Sequence, residues 1–379
     1  QTNMRGQLTT VALLFVAVCC MTAHACSYIQ VPFKGGSLIG RTMERGGSTG
    51  KSGYWTAAHT RGEKMGAPLW DPACTGWENT YGFVSMDEES FFPGQLSTDG
   101  MNEHGVTISA QTLRQSQYQA PSKAPHSTLC WMHVVPWVLG NFVDAPTAIA
   151  ALRNVSVVEP FDALVPSGDR IHWGLDDAHG NSFVLEYLEG QLVVHDNDVG
   201  IMTNDPDYRW HLRNLNNFVG LSRSWPAQDA RTVVDTEVGK VPTAVGHGFN
   251  LMGIPGDYSP PSRFARLFFL RQYASEGVPA ANAAEAMVEA TALLNSVFIP
   301  RGAVAHNGIK DPNYEATMYS LIKEPASRML YFKSYNDMQW KLVNVSALSF
   351  DGPSLHGAKV PVDDGTLGIK DVTQDLKQP

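Results

Sequence analysis

After residue 26 the chain is built mainly from short apolar stretches that alternate with polar residues. The alternation predicts strands at 27–33, 37–43 and 106–110, a second series at 171–175, 182–187, 191–195 and 200–203, and a closing series at 317–323, 329–332 and 339–345. Lys34-Gly35-Gly36 reads as a tight turn, residues 99–105 (DGMNEHG) as a longer one, and residues 46–53 (GGSTGKSG) as a loop. Helical periodicity predicts helices at 129–141, with Pro136 as a kink, and at 262–274 and 280–294. Asp144-Ala145-Pro146 has the form of a helix start. The stretch from Asp351 onward is polar and punctuated by Gly and Pro, so an extended tail is expected there. Strands first, helices in the middle and strands at the end predict sheets covered by helices. The continuity of the pattern, without linker or repeat, predicts one domain.

The first 25 residues follow a different rule. Met4 and Arg5 precede an apolar run at 9–20 (TTVALLFVAVCC), which has the length of a secretory core and is too short to span a bilayer. Ala23 and Ala25 stand at minus three and minus one from Cys26, where a signal peptidase needs small residues. The expected division is a signal peptide with upstream residues at 1–25, one domain at 26–350 and a tail at 351–379, in an exported protein, periplasmic or secreted. One rival is an uncleaved anchor. Another is a lipoprotein signal with Cys26 lipidated, although the residue at minus three is then usually Leu and here is Ala23. Cleavage before Cys26 would leave a thiol and a free α-amine on one residue.

Composition narrows the class. Without the first 25 residues, Lys plus Arg falls from 28 to 27 by loss of Arg5. Set against 37 Asp plus Glu, this leaves a net charge of −10. That balance argues against a nucleic-acid partner. No later apolar run is long enough to span a membrane, so no stable membrane insertion is expected after cleavage. Cys26, Cys74 and Cys130 remain, and an odd number leaves at least one thiol free unless it bonds another chain. Cys74 and Cys130 form either a disulfide or two buried thiols.

Familiar local motifs are weak or missing. The 46–53 stretch nearly matches a phosphate loop, but position 45, where the first glycine belongs, is Arg, and no convincing helix follows. The sequence contains no H-E-x-x-H and no paired C-x-x-C, and its twelve histidines show no ligand spacing. No metal and no cofactor is expected. Cys26 carries the remaining chemistry. A thiol attacks as thiolate, and an N-terminal residue brings its own base, because an α-amine has a pKa of about 7.7–8.0. Arg41 is the cation that the Gly35-Gly36 turn would fold back beside Cys26, and Glu44 lies near the same strand end, where it would hold the α-amine. For this pair alone the plainer reading is a surface ion pair.

Several motifs then occur in a known order: Cys26, Gly40-Arg41-Thr42-Met43-Glu44, Asp99-Gly100-Met101-Asn102-Glu103-His104-Gly105, Met202-Thr203-Asn204-Asp205-Pro206, and the run from Gly253 to Phe264 (GIPGDYSPPSRF). In these the chain resembles the choloylglycine hydrolase family: bile salt hydrolases, penicillin V acylases and their acylase relatives. The resemblance covers nearly all of the chain after residue 25. It implies an α+β N-terminal nucleophile hydrolase fold, a four-layer αββα sandwich of two antiparallel sheets. It also implies cleavage of a linear amide C–N bond in a small-molecule N-acyl amide such as a conjugated bile salt or penicillin V. Carried over residue by residue, Cys26 is the nucleophile, Arg41 the arginine beside it, Asn204 the oxyanion donor and Arg263 a second active-site arginine. Thr112 falls where the family has Asn or Tyr and would supply a backbone N–H.

Two positions depart from the family pattern. The acidic residue, most often Asp, is here Glu44. The next position, usually aromatic or aliphatic, is Arg45, which would either favour an anionic group or turn to solvent. The long excursion at 217–245 resembles the one that relatives use to build a homotetramer. The alternative from another class is a lipid-anchored, non-catalytic binding protein on the same scaffold.

Overall fold

The computed structural model describes residues 25–46, 53–66, 74–88, 96–124, 127–159, 170–224, 233–242, 248–305, 314–352 and 357–365, together with Leu355 and Gly368. Its first hairpin follows directly from the sequence. β1 (Ser27–Phe33) turns through Gly35, at φ 111°, into β2 (Gly36–Gly46). A positive φ of this size favours glycine because a side chain would clash with the main chain.

The strands that follow in the two large sheets are β3 (Tyr54–His59), β4 (Phe83–Glu88), β5 (Leu96–Asn102), β6 (Thr107–Thr112), β7 (Ile171–Asp176), β8 (Ser182–Leu188), β9 (Gln191–Asp196) and β10 (Ile201–Met202). β11 (Val304–Ala305), β12 (Tyr314–Glu324), β13 (Met329–Ser334), β14 (Lys341–Asn344) and β15 (Lys359–Pro361) complete them. The first sheet runs β10-β1-β2-β12-β13-β14, with β11 also on β12. The second runs β9-β8-β7-β6-β5-β4-β3-β15. Every pairing in both is antiparallel.

Helices α1 (Val134–Asn141), α2 (Ala145–Leu152), α3 (Tyr208–Asn214), α4 (Pro260–Gly277) and α5 (Ala283–Asn295) supply the outer layers. Three apolar cores separate the four layers. Val135, Val138 and Leu139 of α1 pack on Ile108 and Trp173 of the second sheet. Phe264 and Leu267 of α4 and Leu294 of α5 pack on Ile29 and Val31 of the first. Met43, Tyr319 and Phe332 meet Tyr54, Met86 and Met101 between the sheets. The molecule is thus the expected αββα sandwich.

The space between the sheets is also partly charged. Lys323 of β12 reaches across to Asp99 of β5 and donates to Ser109 of β6 at 2.9 Å, and Tyr28 of β1 donates to Asp176 of β7. Lys323 and Asp99 are both fully buried. Such a pair adds little net stability, but removing one partner strands a charge, so it fixes how the sheets face one another.

Several local expectations are corrected. The turn read at 99–105 shrinks to Glu103-His104-Gly105, because Asp99 to Asn102 continue β5 and their polar side chains are held by tertiary bonds. The 129–141 helix starts only at Val134. Thr128–Cys130 is a strand, Trp131–His133 is a 3₁₀ turn, and Pro136 lies in the first turn of the α-helix, where its missing N–H costs no intrahelical bond. The stretch from Asp351 is not simply an extended tail: β15 pairs with β3 and Val362 is buried. β3, β4 and the small hairpin Lys64–Gly66 with Gly76–Glu78 had no sequence expectation. The 217–245 excursion carries the hairpin Val233–Thr236 with Gly239–Pro242. The loop at 46–53 falls, from 47 to 52, outside the described residues. Cys74 and Cys130 form a disulfide, with Cα atoms 5.5 Å apart, and Cys26 is a buried free thiol.

Candidate active site

Strand alternation sorts the residues around Cys26 onto two faces of the first sheet. The hairpin register pairs Tyr28 with Arg41 and Ser27 with Thr42. Cys26, Arg41 and Met43 therefore face the second sheet, whereas Ser27, Thr42 and Glu44 face α4.

On the inner face Arg41 Nη2 donates to Cys26 Sγ at 3.1 Å, and Met43 Sδ lies 3.6 Å from the same sulfur. The guanidinium is held from behind. Nη1 donates to the carbonyls of Thr98 (3.0 Å) and Ala110 (3.1 Å), both in the second sheet, and lies 3.5 Å from Asp99 Oδ2. Burial alone would lower the Arg41 pKa, but Tyr319, Cys26 and Asp99 outweigh it and raise it above the ordinary value. The Cys26 thiol responds the other way. Burial pushes its pKa up, and Arg41 offsets only part of that rise. With Ala25 still attached, the arginine by itself does not hold the sulfur as thiolate.

On the outer face a β-bulge decides the contacts. The β2–β12 register slips between Thr317 and Tyr319, so Thr317 stands opposite Glu44 while Tyr319 stands opposite Met43. Thr317 Oγ1 accepts from Ile299 N–H at 2.8 Å and donates to Glu44 Oε1 at 2.8 Å. The longer side chain of Glu44 is therefore seated by a hydroxyl on the neighbouring strand. Burial pushes the Glu44 pKa up to about 7, against the pull of Arg263 and of the Thr317 and Thr42 hydroxyls.

Arg263 comes from the first turn of α4, where Pro260 and Pro261 start the helix without needing N–H partners. It donates from Nη1 to Ser27 Oγ (2.7 Å) and to the Cys26 carbonyl, from Nη2 to Asn204 Oδ1 (2.7 Å), and from Nε to the Tyr258 carbonyl (2.9 Å). Burial lowers its pKa, opposed by Glu44 and Cys26. Because Arg263 takes the Asn204 oxygen, the amide nitrogen is the end left to donate. One of its hydrogens goes to the Thr112 carbonyl at 2.9 Å.

The Thr112 main chain faces the same place. Leu113 N–H is used by the Arg170 carbonyl, and Thr112 is paired with Ile171. In an antiparallel ladder the next N–H along points the other way, so Thr112 N–H lies on the side where Asn204 arrives. A cleft of about 770 Å³ opens here, lined by Ala25, Thr112, Asn204, Asp205, Tyr258 and Glu315 among others.

The structure thus brings Cys26, Arg41, Glu44, Thr112, Asn204 and Arg263 into one cluster, of which Thr112 and Asn204 line the cleft. Arg45, with its side chain 32% exposed, pairs with Glu88 and bonds Tyr54. Sequence reasoning missed Asp99, Lys323 and Thr317, which hold Arg41 and Glu44 in place. The signal available was a set of polar residues inside otherwise apolar strands. Among the described residues no group of three or more His, Cys, Asp or Glu is placed to hold a metal. No histidine among them bonds Cys26.

Comparison with known proteins bears on the family and the fold. The model of linear amide C–N hydrolases, choloylglycine hydrolase family, matches residues 26–357. A bile salt hydrolase/transferase of Clostridium perfringens (strain 13 / Type A) is 30% identical over 261 residues, 67% of this chain and 74% of that protein. A penicillin V acylase of Pectobacterium atrosepticum is 28% identical over 141 residues, 35% of this chain and 36% of that one. Among solved structures, a mutant conjugated bile acid hydrolase from C. perfringens superposes with a TM-score of 0.74 at 24% identity, covering 92% of this chain and all of that one. Penicillin V acylase from Agrobacterium tumefaciens gives 0.66 at 21%, covering 91% and 93%. A family match that starts at Cys26 and runs through both sheets, on a fold of the same architecture, shows that this chain belongs to the choloylglycine hydrolase family of linear amide C–N hydrolases.

Proposed function

We propose that this chain is exported, loses the residues before Cys26, and then hydrolyses the linear amide of an N-acyl amine with Cys26 as nucleophile. The substrate class is conjugated bile salts, penicillin V or related N-acyl amines. The observation that carries the reading is the buried Cys26 sulfur 3.1 Å from Arg41 Nη2, beside a cleft that also receives the Asn204 amide.

Cleavage supplies what the chain with Ala25 lacks, a free α-amine on Cys26 to act as base. The released α-amine takes the thiol proton as Sγ attacks the carbonyl carbon. The oxyanion accepts from Thr112 N–H and from the second Asn204 Nδ2 hydrogen. The α-ammonium protonates the departing nitrogen, leaving a thioester on Cys26. The amine then takes a proton from water, hydroxide attacks the thioester, and the acid leaves as the sulfur is reprotonated. Arg41 stabilises the sulfur anion, and Glu44 holds the ammonium form of the amine. Burial of the thiol favours this reading over the lipid-anchored one, since a cysteine carrying a lipid must present its sulfur outside the fold.

The test is a folded protein that keeps one uncleaved Ala before Cys26, assayed beside the cleaved enzyme on a panel of N-acyl amides for released amine. The amide in place of the amine removes the base, so turnover should fall by roughly 10²–10⁴-fold. Near-normal turnover of that protein, or no turnover of any panel member by the cleaved enzyme, would overturn the proposal.

A further inference from the structure

The main chain that carries Asn204 lies just past the end of β10. It is buried, with Thr203 and Asn204 at 1% and 2% exposure, and its carbonyls need donors. Two histidines supply them. His211 on α3 donates from Nε2 to the Asn204 carbonyl at 2.8 Å, and His172 on β7 donates from Nε2 to the Thr203 carbonyl at 2.8 Å. Glu186 on β8 ties the two together. It accepts from His172 Nδ1 at 3.1 Å, from His195 Nε2 at 3.1 Å, and from Tyr208 N–H, the first residue of the helix that carries His211, at 3.0 Å. Burial opposes its ionisation, but the bonds from His172 and His195 hold the Glu186 pKa down to about 2. His211 is further fixed by stacking on Phe264, with centroids 4.7 Å apart and planes at 10°. Phe264 is the neighbour of Arg263, which grips the Asn204 oxygen. Two rigid rings thus clamp the main chain while a guanidinium sets the side-chain amide.

We propose that His211 and His172, anchored by Glu186, are positioning residues for the oxyanion hole: they fix the 203–204 main chain so that the Asn204 amide points at the reacting carbonyl. The inference rests on the reading of Cys26 as nucleophile and Asn204 as oxyanion donor. An amide donor helps only within about 3 Å of the oxyanion, and a misplacement of about 1 Å costs up to roughly a hundredfold. Among the described residues no histidine bonds Cys26, yet two of them hold the main chain that carries Asn204.

A purely structural role would lower stability and disturb everything at Cys26. A positioning role acts only through Asn204. The test uses the cleaved enzyme and the N-acyl amide it turns over best, with the variants His211→Leu, His211→Gln, Asn204→Ala and the double variant His211→Leu/Asn204→Ala. Leu keeps a bulky apolar group over Phe264 but removes the donor, whereas Gln restores a donor near the Nε2 position. Alkylation of Cys26 by iodoacetamide is measured alongside, because displacement of iodide forms no oxyanion.

The expected result is kcat lower by about tenfold in His211→Leu, with KM and the alkylation rate within about twofold of wild type, and most of the loss recovered in His211→Gln. Asn204→Ala should lose about a hundredfold, and His211→Leu should add nothing in that background. Unchanged kcat in His211→Leu, an equal further loss in the Asn204→Ala background, or alkylation that falls in step with kcat would each overturn the positioning role. Full activity in Asn204→Ala would overturn the oxyanion assignment and the positioning role with it. If His211→Leu does not fold, His211→Asn, which withdraws the donor toward the Nδ1 position, replaces it in the same comparison.

Discussion

Glu44 and Glu186 are both buried carboxylates, and each lies close behind a residue of the proposed reaction. Their surroundings drive them apart. The Glu186 pKa is pulled down to about 2 despite burial, because two imidazoles and a backbone N–H converge on it. The Glu44 pKa rises to about 7, because burial outweighs two hydroxyls and the charge of Arg263, which is shared with Cys26, Ser27 and Asn204. The difference teaches that burial alone does not decide the state of a carboxyl group; the number of hydrogen-bond donors that converge on it does. The Glu186 region is electrostatically complete. The Glu44 region already feels Arg263 and Arg41 and would gain a further cation on release of the α-amine of Cys26, so cleavage would change its electrostatics as well as expose the base.

The comparison can be broken most severely at Glu186. Glu186→Ala removes one partner of a buried charged network, and the loss of folding stability should be about 3–5 kcal/mol. Urea unfolding at neutral pH measures it, and a loss below about 1 kcal/mol would show that the carboxylate is not the anchor described.

At Glu44 the effect has the opposite sign. In the chain that keeps Ala25, the folded-state pKa of about 7 exceeds the ordinary value of 4.5. Between those limits the folded state binds more protons than the unfolded one, so this group's contribution to stability falls as pH rises through that window and is flat above it. Glu44→Gln should match wild type below about pH 4.5 and be more stable by on the order of 3 kcal/mol at pH 8. Unfolding curves at the two pH values decide it; a Gln variant no more stable at pH 8 than at pH 4.5, relative to wild type, would contradict the account.

In the cleaved enzyme the same substitution should be harmful, because the ammonium loses its counter-charge. A charge-assisted hydrogen bond contributes about 1.5–3 kcal/mol, so Glu44→Gln should lower turnover by about 10–100-fold. Opposite signs before and after cleavage, measured on one pair of proteins, would sharpen the contrast with Glu186, where both forms should lose stability alike. The smallest effect is expected at Arg45, whose partly exposed pairing with Glu88 should be worth within about 1 kcal/mol when Arg45→Ala is tested by urea unfolding.

The strands around the site were readable because alternation is local. Ser27–Phe33 follows the predicted 27–33 run at both ends, and Asp144 caps its helix by accepting from Thr147 N–H as the Asp-Ala-Pro signal suggests. The segments that were misread carry polar residues in buried strands. Asp99 and Asn102 look like turn residues until Lys323 and the α1 carbonyls are seen to bond them. β3 and β4 were missed for the same reason, with Thr56, His59, Ser85 and Asp87 buried in hydrogen bonds that alternation cannot reveal.

By itself the sequence determined the first hairpin and the two-faced strands, because spacing along a strand sets which side chains share a face, whereas Thr112, Asn204 and Arg263 were reached through the resemblance to the family and not through spacing. Tertiary structure alone decided which partners complete them. Asp99 lies 58 residues from Arg41, Thr317 lies 273 from Glu44 and Arg263 lies 237 from Cys26, and no periodicity reports a contact over such separations. Whether a buried carboxyl, thiol or guanidinium is charged depends on those distant donors and on the depth of burial, and both exist only once the two sheets have closed on each other.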